Sequence, residues 1–363
     1  MERLPVAFEG RPAYDICFDS SFNILKDVLQ EESIHIVDRK VCIVTDETVA
    51  PLYLDQLTEL LSDTVKELHH YSFIPGEEHK NLDALSGLYA YLIEHHFDRS
   101  DLLMALGGGV VGDMTGYAAA SFLRGIDFIQ IPTTLLAQCD SSIGGKTAVD
   151  FQGYKNMIGA FYMPKLVYMN MTTLNTLDSR QFLSGFAEVM KHGLIKDRSY
   201  YDWLLAYKDK ILHKDQNTLI RMIRRSCEIK KEVVEKDPKE KGERALLNFG
   251  HSIGHAIEKA SDFKLLHGEC VAIGCVAAAF LSKEKGLITP SEYEQVREGI
   301  SSFGMPVSTT GLEPEQVLQL THSDKKRQGK SIRFILLNSI GESFIDTSLT
   351  DEDLLPAIRE VCL

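Results

Sequence analysis

Two imidazoles, His251 and His255, stand four residues apart in LNFGHSIGHAIE (247–258). The stretch reads as helix, and that spacing puts both rings on one face, about a turn apart. Further metal-binding groups occur on neighbouring helical segments: Glu188 in GFAEVMKHG and His267 in LLHGEC. A catalytic zinc site keeps three protein ligands and leaves a position for substrate. Glu188, His251 or His255, and His267 therefore form a candidate metal set, and spacing alone leaves open which member of the histidine pair binds.

Other polar residues follow the same segments. Lys191 lies three positions after Glu188 and is expected to face the site, whereas His192 belongs to no motif and is read as structural. Lys230, Glu240, Arg244 and Asn248 precede His251. Arg244 and Asn248, and then Asn248 and His251, are each about one helical turn apart. A helical face carrying Arg, Asn, His and His is too polar for core, and suits an anionic, polyhydroxylated ligand.

A second chemistry is written in ALGGGVVGDMTG (105–116), where Gly107, Gly109 and Gly112 form a G-x-G-x-x-G between an apolar strand and a helix. Glycines let backbone approach a pyrophosphate, and the helix N-terminus favours negative charge. One feature departs from the usual pattern. The next strand ends in IPTT rather than in the acidic residue that binds ribose. Acidic groups come earlier instead, at Asp46 and in PGEEHK (75–80), so a non-standard strand order is expected. The stretch 131–159, with Asp140, Lys146, Lys155 and Asn156, reads as a long polar functional loop whose lysines could neutralise phosphate.

The elements that must position these groups are legible. KVCIVTD, VKELHHYSFIP, DLLMALGGG and GIDFIQIPTT read as strands alternating with amphipathic helices. That order implies a mainly parallel, Rossmann-like α/β sheet covered on both faces. After about residue 175 the periodicity turns helical, except for a hairpin in SIRFILLNSIGESFID (331–346). A chain of 363 residues is expected to form two domains. These are a dinucleotide-binding domain over 1–175 and a mostly α-helical metal- and substrate-binding domain over 176–363, with a site in the cleft between them. The net charge of −13 disfavours nucleic acid as a partner. The longest apolar run, Val271 to Leu281, is short of a membrane span. Seven scattered cysteines without a CxxC, and an N-terminus without an export pattern, are read as reduced thiols in a cytoplasmic protein.

Taken together, PGEEHKNL, GGGVVGDMTGYAAASFLRGIDFIQIPTTLLAQCDSSIGGKTAV, KNMIGAFYMPK, GFAEVMKHG, ALLNFGHSIGHAIE, LHGE and SDKKRQGKSIRFILLNSIG resemble the 3-dehydroquinate synthase family of sugar phosphate cyclases, through nearly the whole chain. The resemblance implies a dehydroquinate synthase-like fold, NAD, and a divalent metal, zinc or cobalt, on Glu188, His251 and His267. His255 would then face the substrate phosphate, since a fourth imidazole would fill a position the substrate needs. For NAD it implies Asp46, Glu77 and Lys80 near the adenosine end. Gly108, Gly109, Val110 and Asp113 would hold the centre, and Thr133, Thr134, Asp140, Lys146, Lys155, Thr173 and Thr176 the rest. For the substrate it implies Lys146, Asn156, Lys191, Lys230, Glu240, Arg244, Asn248, His255 and a lysine of DKK, Lys326 ahead of Lys325. Arg124 in FLRG would reach the phosphate site of a partner subunit in a homodimer. Two small departures are Pro238, where an acidic residue is common, and Asp150 in place of a frequent asparagine.

The implied reaction turns 3-deoxy-D-arabino-heptulosonate 7-phosphate into 3-dehydroquinate. It proceeds by transient NAD-dependent oxidation, phosphate elimination, re-reduction and intramolecular aldol closure, making the protein a lyase of the shikimate pathway. Rival readings of the same residues are another cyclase acting on sedoheptulose 7-phosphate or glucose 6-phosphate, a metal-dependent glycerol or alcohol dehydrogenase, and a catalytically dead nucleotide-binding regulator.

Overall fold

The structure, a computed structural model, describes residues 1–328 and 333–363, with side chains for 1–322 and 333–363. The chain forms two compact units, Met1–Leu177 and Asp178–Leu363.

The first unit runs β1 (Glu2–Phe8), β2 (Arg11–Asp19), α1 (Leu25–Glu31), β3 (Lys40–Asp46), α2 (Ala50–Leu61), β4 (Glu67–Phe73), α3 (Leu82–Glu94), β5 (Leu102–Gly107), α4 (Gly109–Ser121), β6 (Asp127–Pro132), β7 (Lys146–Phe151), β8 (Tyr154–Phe161) and β9 (Leu166–Asn170). Seven strands make one sheet in the order β1-β2-β9-β6-β5-β3-β4, parallel throughout except for the β1–β2 pair. The central strands β3, β5, β6 and β9 bury both faces, so alternate residues feed two cores. Val41, Ile43, Leu102 and Met104 pack on one side with Leu25 of α1 and Leu57 of α2. Cys42, Val44 and Leu103 pack on the other with Leu88 of α3 and Met114 of α4.

Numbering the five successive parallel strands β3, β4, β5, β6 and β9 from one to five, the order is 2-1-3-4-5 rather than the standard dinucleotide order. The expected departure is present. The order reverses between β3 and β5, and ligands of open α/β sheets bind outside the carboxyl ends of strands at such a point.

The stretch 131–159 is not a loop, which corrects the sequence reading. It holds a turn of π-helix over Ala137–Ser141 and the antiparallel hairpin β7–β8. Gln152 and Gly153 both have positive φ, 50° and 75°, as a two-residue hairpin turn of this kind requires. The strand pair had been obscured by the lysines on its surface.

The second unit runs α5 (Ser179–Lys196), α6 (Arg198–Ala206), α7 (Lys208–Leu212), α8 (Gln216–Lys236), α9 (His251–Ala260), α10 (His267–Glu284), α11 (Pro290–Ser302), α12 (Pro314–Gln328), β10 (Phe334–Ser339), β11 (Glu342–Asp346) and α13 (Asp351–Val361). Helix α10 is buried on every side from Cys270 to Ala279, as an all-round apolar sequence requires. It packs against α5, α9, α11 and α13 and forms the axis of the unit. No described helix is long and apolar enough to cross a membrane. All seven cysteines are buried.

Candidate functional site

Glu188 sits mid-way along α5, His251 opens α9 and His267 opens α10. Two very close backbone contacts bring these elements together. A Cβ on Gly268 would lie 1.8 Å from the Ser184 carbonyl oxygen of α5, and one on Gly274 1.9 Å from the Gly250 carbonyl oxygen just before α9. Only glycine lets three helices converge this tightly. Gly250 also has φ +77°. It breaks the stretch LNFGHSIGHAIE, so Asn248 and His251 do not share one helical face as the sequence reading had it. Residues Glu243–Asn248 form a separate 3₁₀ turn.

At the convergence, Oε1 of the fully buried Glu188 lies 3.4 Å from His251 Nε2 and 3.2 Å from His267 Nε2. Donors held about 2.0–2.1 Å from a tetrahedral zinc are themselves roughly 3.3 Å apart, so this carboxylate and these two imidazoles fit a divalent ion. The outer nitrogens are also placed for it. His251 Nδ1 donates to the Phe249 carbonyl at 3.1 Å, which leaves the Nε2 lone pair facing Glu188. His267 Nδ1 faces the buried Glu258 carboxylate at 3.8 Å. His255 stands beside them, its ring centroid 5.2 Å from His251 and 5.7 Å from His267. Its ligand atom, with those of His251 and His267, lies within a 4.8 Å span, so a three-imidazole set is also geometrically open. The set with Glu188 is better founded, because a buried carboxylate needs cationic partners, whereas His255 is exposed to solvent.

The charges at the site are interlocked. Burial would raise the Glu188 carboxyl, but Lys191, one turn on in α5, and the two imidazoles hold it well below the usual carboxylate range. Lys191 contacts Glu188 directly. Burial and the Lys191 charge push His251 down. Burial would lower His267 too, but Glu188 and Glu258 outweigh it and hold the ring up at about 9. His192 is buried beside Ser226 Oγ at 2.7 Å, in keeping with a structural role.

Lys230 lies in the apolar stripe of α8, among Cys227, Ile229 and Val233. Arg244 is almost fully buried and donates from Nη1 to the Pro238 carbonyl at 2.7 Å. Asn248 donates to Glu240 Oε1 at 2.9 Å. The loop bearing Glu240 and Arg244 is folded around Asp237, a residue the sequence reading missed. Its carboxylate accepts from the backbone amides of Lys241, Gly242 and Arg244 at 2.9, 2.7 and 3.0 Å. Glu258 was missed as well. Its signal was an acid seven residues after His251, two turns along the same face. The side chains of Lys325 and Lys326 lie outside the described residues.

In the first unit, the nucleotide candidates lie at or beyond the carboxyl ends of parallel strands: Asp46 as the last residue of β3, Glu77 and Lys80 beyond β4, Gly108 after β5, Thr133 and Thr134 after β6, and Thr173 and Thr176 after β9. Lys80 is the hub. Its Nζ donates to Asp113 Oδ2 at 2.7 Å and Asn156 Oδ1 at 2.6 Å, and lies 3.8 Å from Glu77. Lys155 also lies 3.8 Å from Glu77. Burial pushes the Asp113 carboxyl up against the pull of Lys80. Asn156, expected on the substrate, is thus joined to the nucleotide candidates. Tyr53 donates to the Thr173 carbonyl at 3.2 Å and touches Thr176. Asp140 falls in the π-turn, Val110 in the first turn of α4, and Lys146 is exposed at the start of β7. Arg124 is exposed in a strained turn, with φ +70° following Leu123 at +50°.

The fit to a dinucleotide is structural. No side chain caps the N-terminus of α4, so its amides face outward from the glycine turn. A Cβ at Gly109 would come within 3.0 Å of Ser141 Oγ, filling the space the backbone leaves. Thr133 Oγ1 is buried with no hydrogen-bond partner.

Models of the 3-dehydroquinate synthase N-terminal and C-terminal regions match residues 70–184 and 185–327. A 3-dehydroquinate synthase of Ruminiclostridium cellulolyticum is 44% identical over 347 residues, 95% of each chain. Among solved structures, 2-deoxy-scyllo-inosose synthase complexed with carbaglucose-6-phosphate, NAD+ and Co2+ superposes with a TM-score of 0.88 at 25% identity, over 99% of this chain and 100% of that one. The 2-epi-5-epi-valiolone synthase of Streptomyces hygroscopicus with NAD+ and Zn2+ bound gives 0.89 at 25% identity, over 99% of both chains. With two adjoining family models that together cover residues 70–327, and a carboxylate and two imidazoles gathered in the second unit, the chain belongs to the 3-dehydroquinate synthase family.

Proposed function

We propose that this chain converts 3-deoxy-D-arabino-heptulosonate 7-phosphate to 3-dehydroquinate and phosphate, with NAD recycled at each turnover. The observation that carries the reading is the meeting of Glu188, His251 and His267 within 3.4 Å, in a unit that also buries Lys191, Lys230 and Arg244. Glu188, His251 and His267 would hold the metal. Asp46, Lys80 and the Gly108–Asp113 turn would hold the dinucleotide. When bound, the nicotinamide supplies reversible hydride chemistry and the divalent ion supplies Lewis acidity.

The remaining work falls to side chains. Arg244 offers a planar fork for the substrate carboxylate, with Lys230 adding charge. Glu240 holds Asn248 by its amide and so aims it. Asn248, His255 and Lys191 are donors for the phosphate, whose departure they favour by stabilising the anion. His255 is left for this role if the metal is held by Glu188 and the other two imidazoles. We also propose a homodimer in which Arg124 reaches the partner's phosphate site. The hairpin β7–β8 supports an interface, because Phe151, Tyr154, Met157 and Phe161 are large, apolar and exposed on it.

The test is incubation with the heptulosonate phosphate, Zn2+ or Co2+, and trace NAD+. Phosphate release far beyond the NAD+ supplied, with no NADH accumulating, is expected. NADH formed in step with substrate loss would instead favour a dehydrogenase. Turnover of sedoheptulose 7-phosphate or glucose 6-phosphate at a comparable rate would remove the carboxylate role given to Arg244.

A further inference from the structure

Glu258 occupies a position that helix physics disfavours. It lies in the last turn of α9, where the helix dipole is negative and repels a carboxylate. It is also only 4% exposed, and a buried carboxylate is costly unless donors or cations meet it. One group facing it is the outer nitrogen of His267, 3.8 Å from Oε2, while the inner nitrogen of the same ring points to Glu188 at 3.2 Å. The ring thus lies between two carboxylates on opposite edges. Glu258 also shares α9 with His251, so one ten-residue helix carries a metal-binding imidazole at its start and the partner of the other imidazole at its end.

We propose that Glu258 is a positioning residue for the metal centre. It accepts the Nδ1 proton of His267, which fixes the tautomer with Nε2 unprotonated and turns that lone pair toward the ion. Carboxylate–histidine–metal relays of this kind raise the basicity of the ligand ring and restrict its rotation. The inference rests on the metal set Glu188, His251 and His267. It adds that the site is tied into α9 twice, through His251 directly and through Glu258 behind His267.

The experiment compares Co2+ and Zn2+ binding to the full-length wild-type chain and to its Glu258→Gln, Glu258→Asp and Glu188→Gln variants, by calorimetry and by the visible absorption of bound Co2+. The glutamine keeps size and removes charge. The expected result is about a 10- to 100-fold loss of affinity in Glu258→Gln, an altered Co2+ spectrum, unchanged far-ultraviolet circular dichroism, and partial recovery in Glu258→Asp. A Glu258→Gln chain that binds Co2+ within about twofold of wild type with the same spectrum overturns the proposal. Failure of the wild-type chain to bind either metal, or full binding by Glu188→Gln, overturns the metal site itself. Should Glu258→Gln not fold, nitrogen-15 spectra of the Zn2+-loaded wild-type chain decide. His267 must show a protonated Nδ1 and a metal-bound Nε2, and the reverse assignment sinks the inference.

Discussion

Loading the metal should release one proton, and that proton should come from His267. In the metal-free chain, burial opposes the charge on this ring but Glu188 and Glu258 together raise it to about 9. At about pH 7.5 the ring is then roughly 97% protonated, a ratio of about 30 to 1. A metal needs the Nε2 lone pair, so binding expels that proton. The other two ligands release none, because Glu188 is held low and His251 is pushed down. The expected count is therefore close to one at about pH 7.5 and about half of that near pH 9, with apparent affinity rising about tenfold per unit of pH below 9. Calorimetric titration of the metal-free chain in buffers of different ionisation enthalpy gives the count as a slope. The same ring gives the metal-free fold a pH trend. Its folded value lies above the unfolded one, so the stabilisation is complete below about pH 6.5 and is lost as pH rises through about 9. At 1.36 kcal/mol per unit, the shift from 6.5 corresponds to about 3 kcal/mol. No proton released at about pH 7.5, or two or more, would refute the reasoning.

Three further outcomes follow from the geometry. Gly268→Ala places a methyl 1.8 Å from the Ser184 carbonyl, so α10 must shift from α5; thermal unfolding should show a loss of about 1–3 kcal/mol, and dialysed protein should retain less metal. Lys80→Ala leaves the part-buried Asp113 carboxylate without its 2.7 Å partner, and denaturant titration should show about 1–3 kcal/mol of destabilisation, with weaker NAD+ binding by fluorescence. Arg244→Lys keeps the charge but loses the fork, so KM for the heptulosonate phosphate should rise with little change in metal content; an unchanged KM would remove the carboxylate clamp.

Much of this was legible in the sequence because period and punctuation agreed. KVCIVTD is β3 residue for residue, and the glycines of ALGGGVVGDMTG do mark the turn from β5 into α4. The hairpin expected in 331–346 appears as β10 and β11. What stayed hidden was set by contacts between elements far apart in sequence. Nothing local marks Gly268 or Gly274 as points of backbone contact, since glycine reads equally as turn or packing. The break at Gly250 was masked by apolar residues in helical register on either side. The N-terminal pair β1–β2 was unread, its strands being half exposed and poor in β-branched residues. Asp237 and Glu258 looked like ordinary surface acids; only the fold turns one toward three backbone amides and the other toward an imidazole.

The division of labour between the two imidazoles of LNFGHSIGHAIE is the central claim, and the metal content of the His255→Ala chain after dialysis tests it most directly. Because Glu188, His251 and His267 suffice for the ion, this chain should keep one metal per subunit while losing turnover. A metal-free His255→Ala chain would contradict the account, assigning the ion to the three histidines and leaving Glu188 to Lys191.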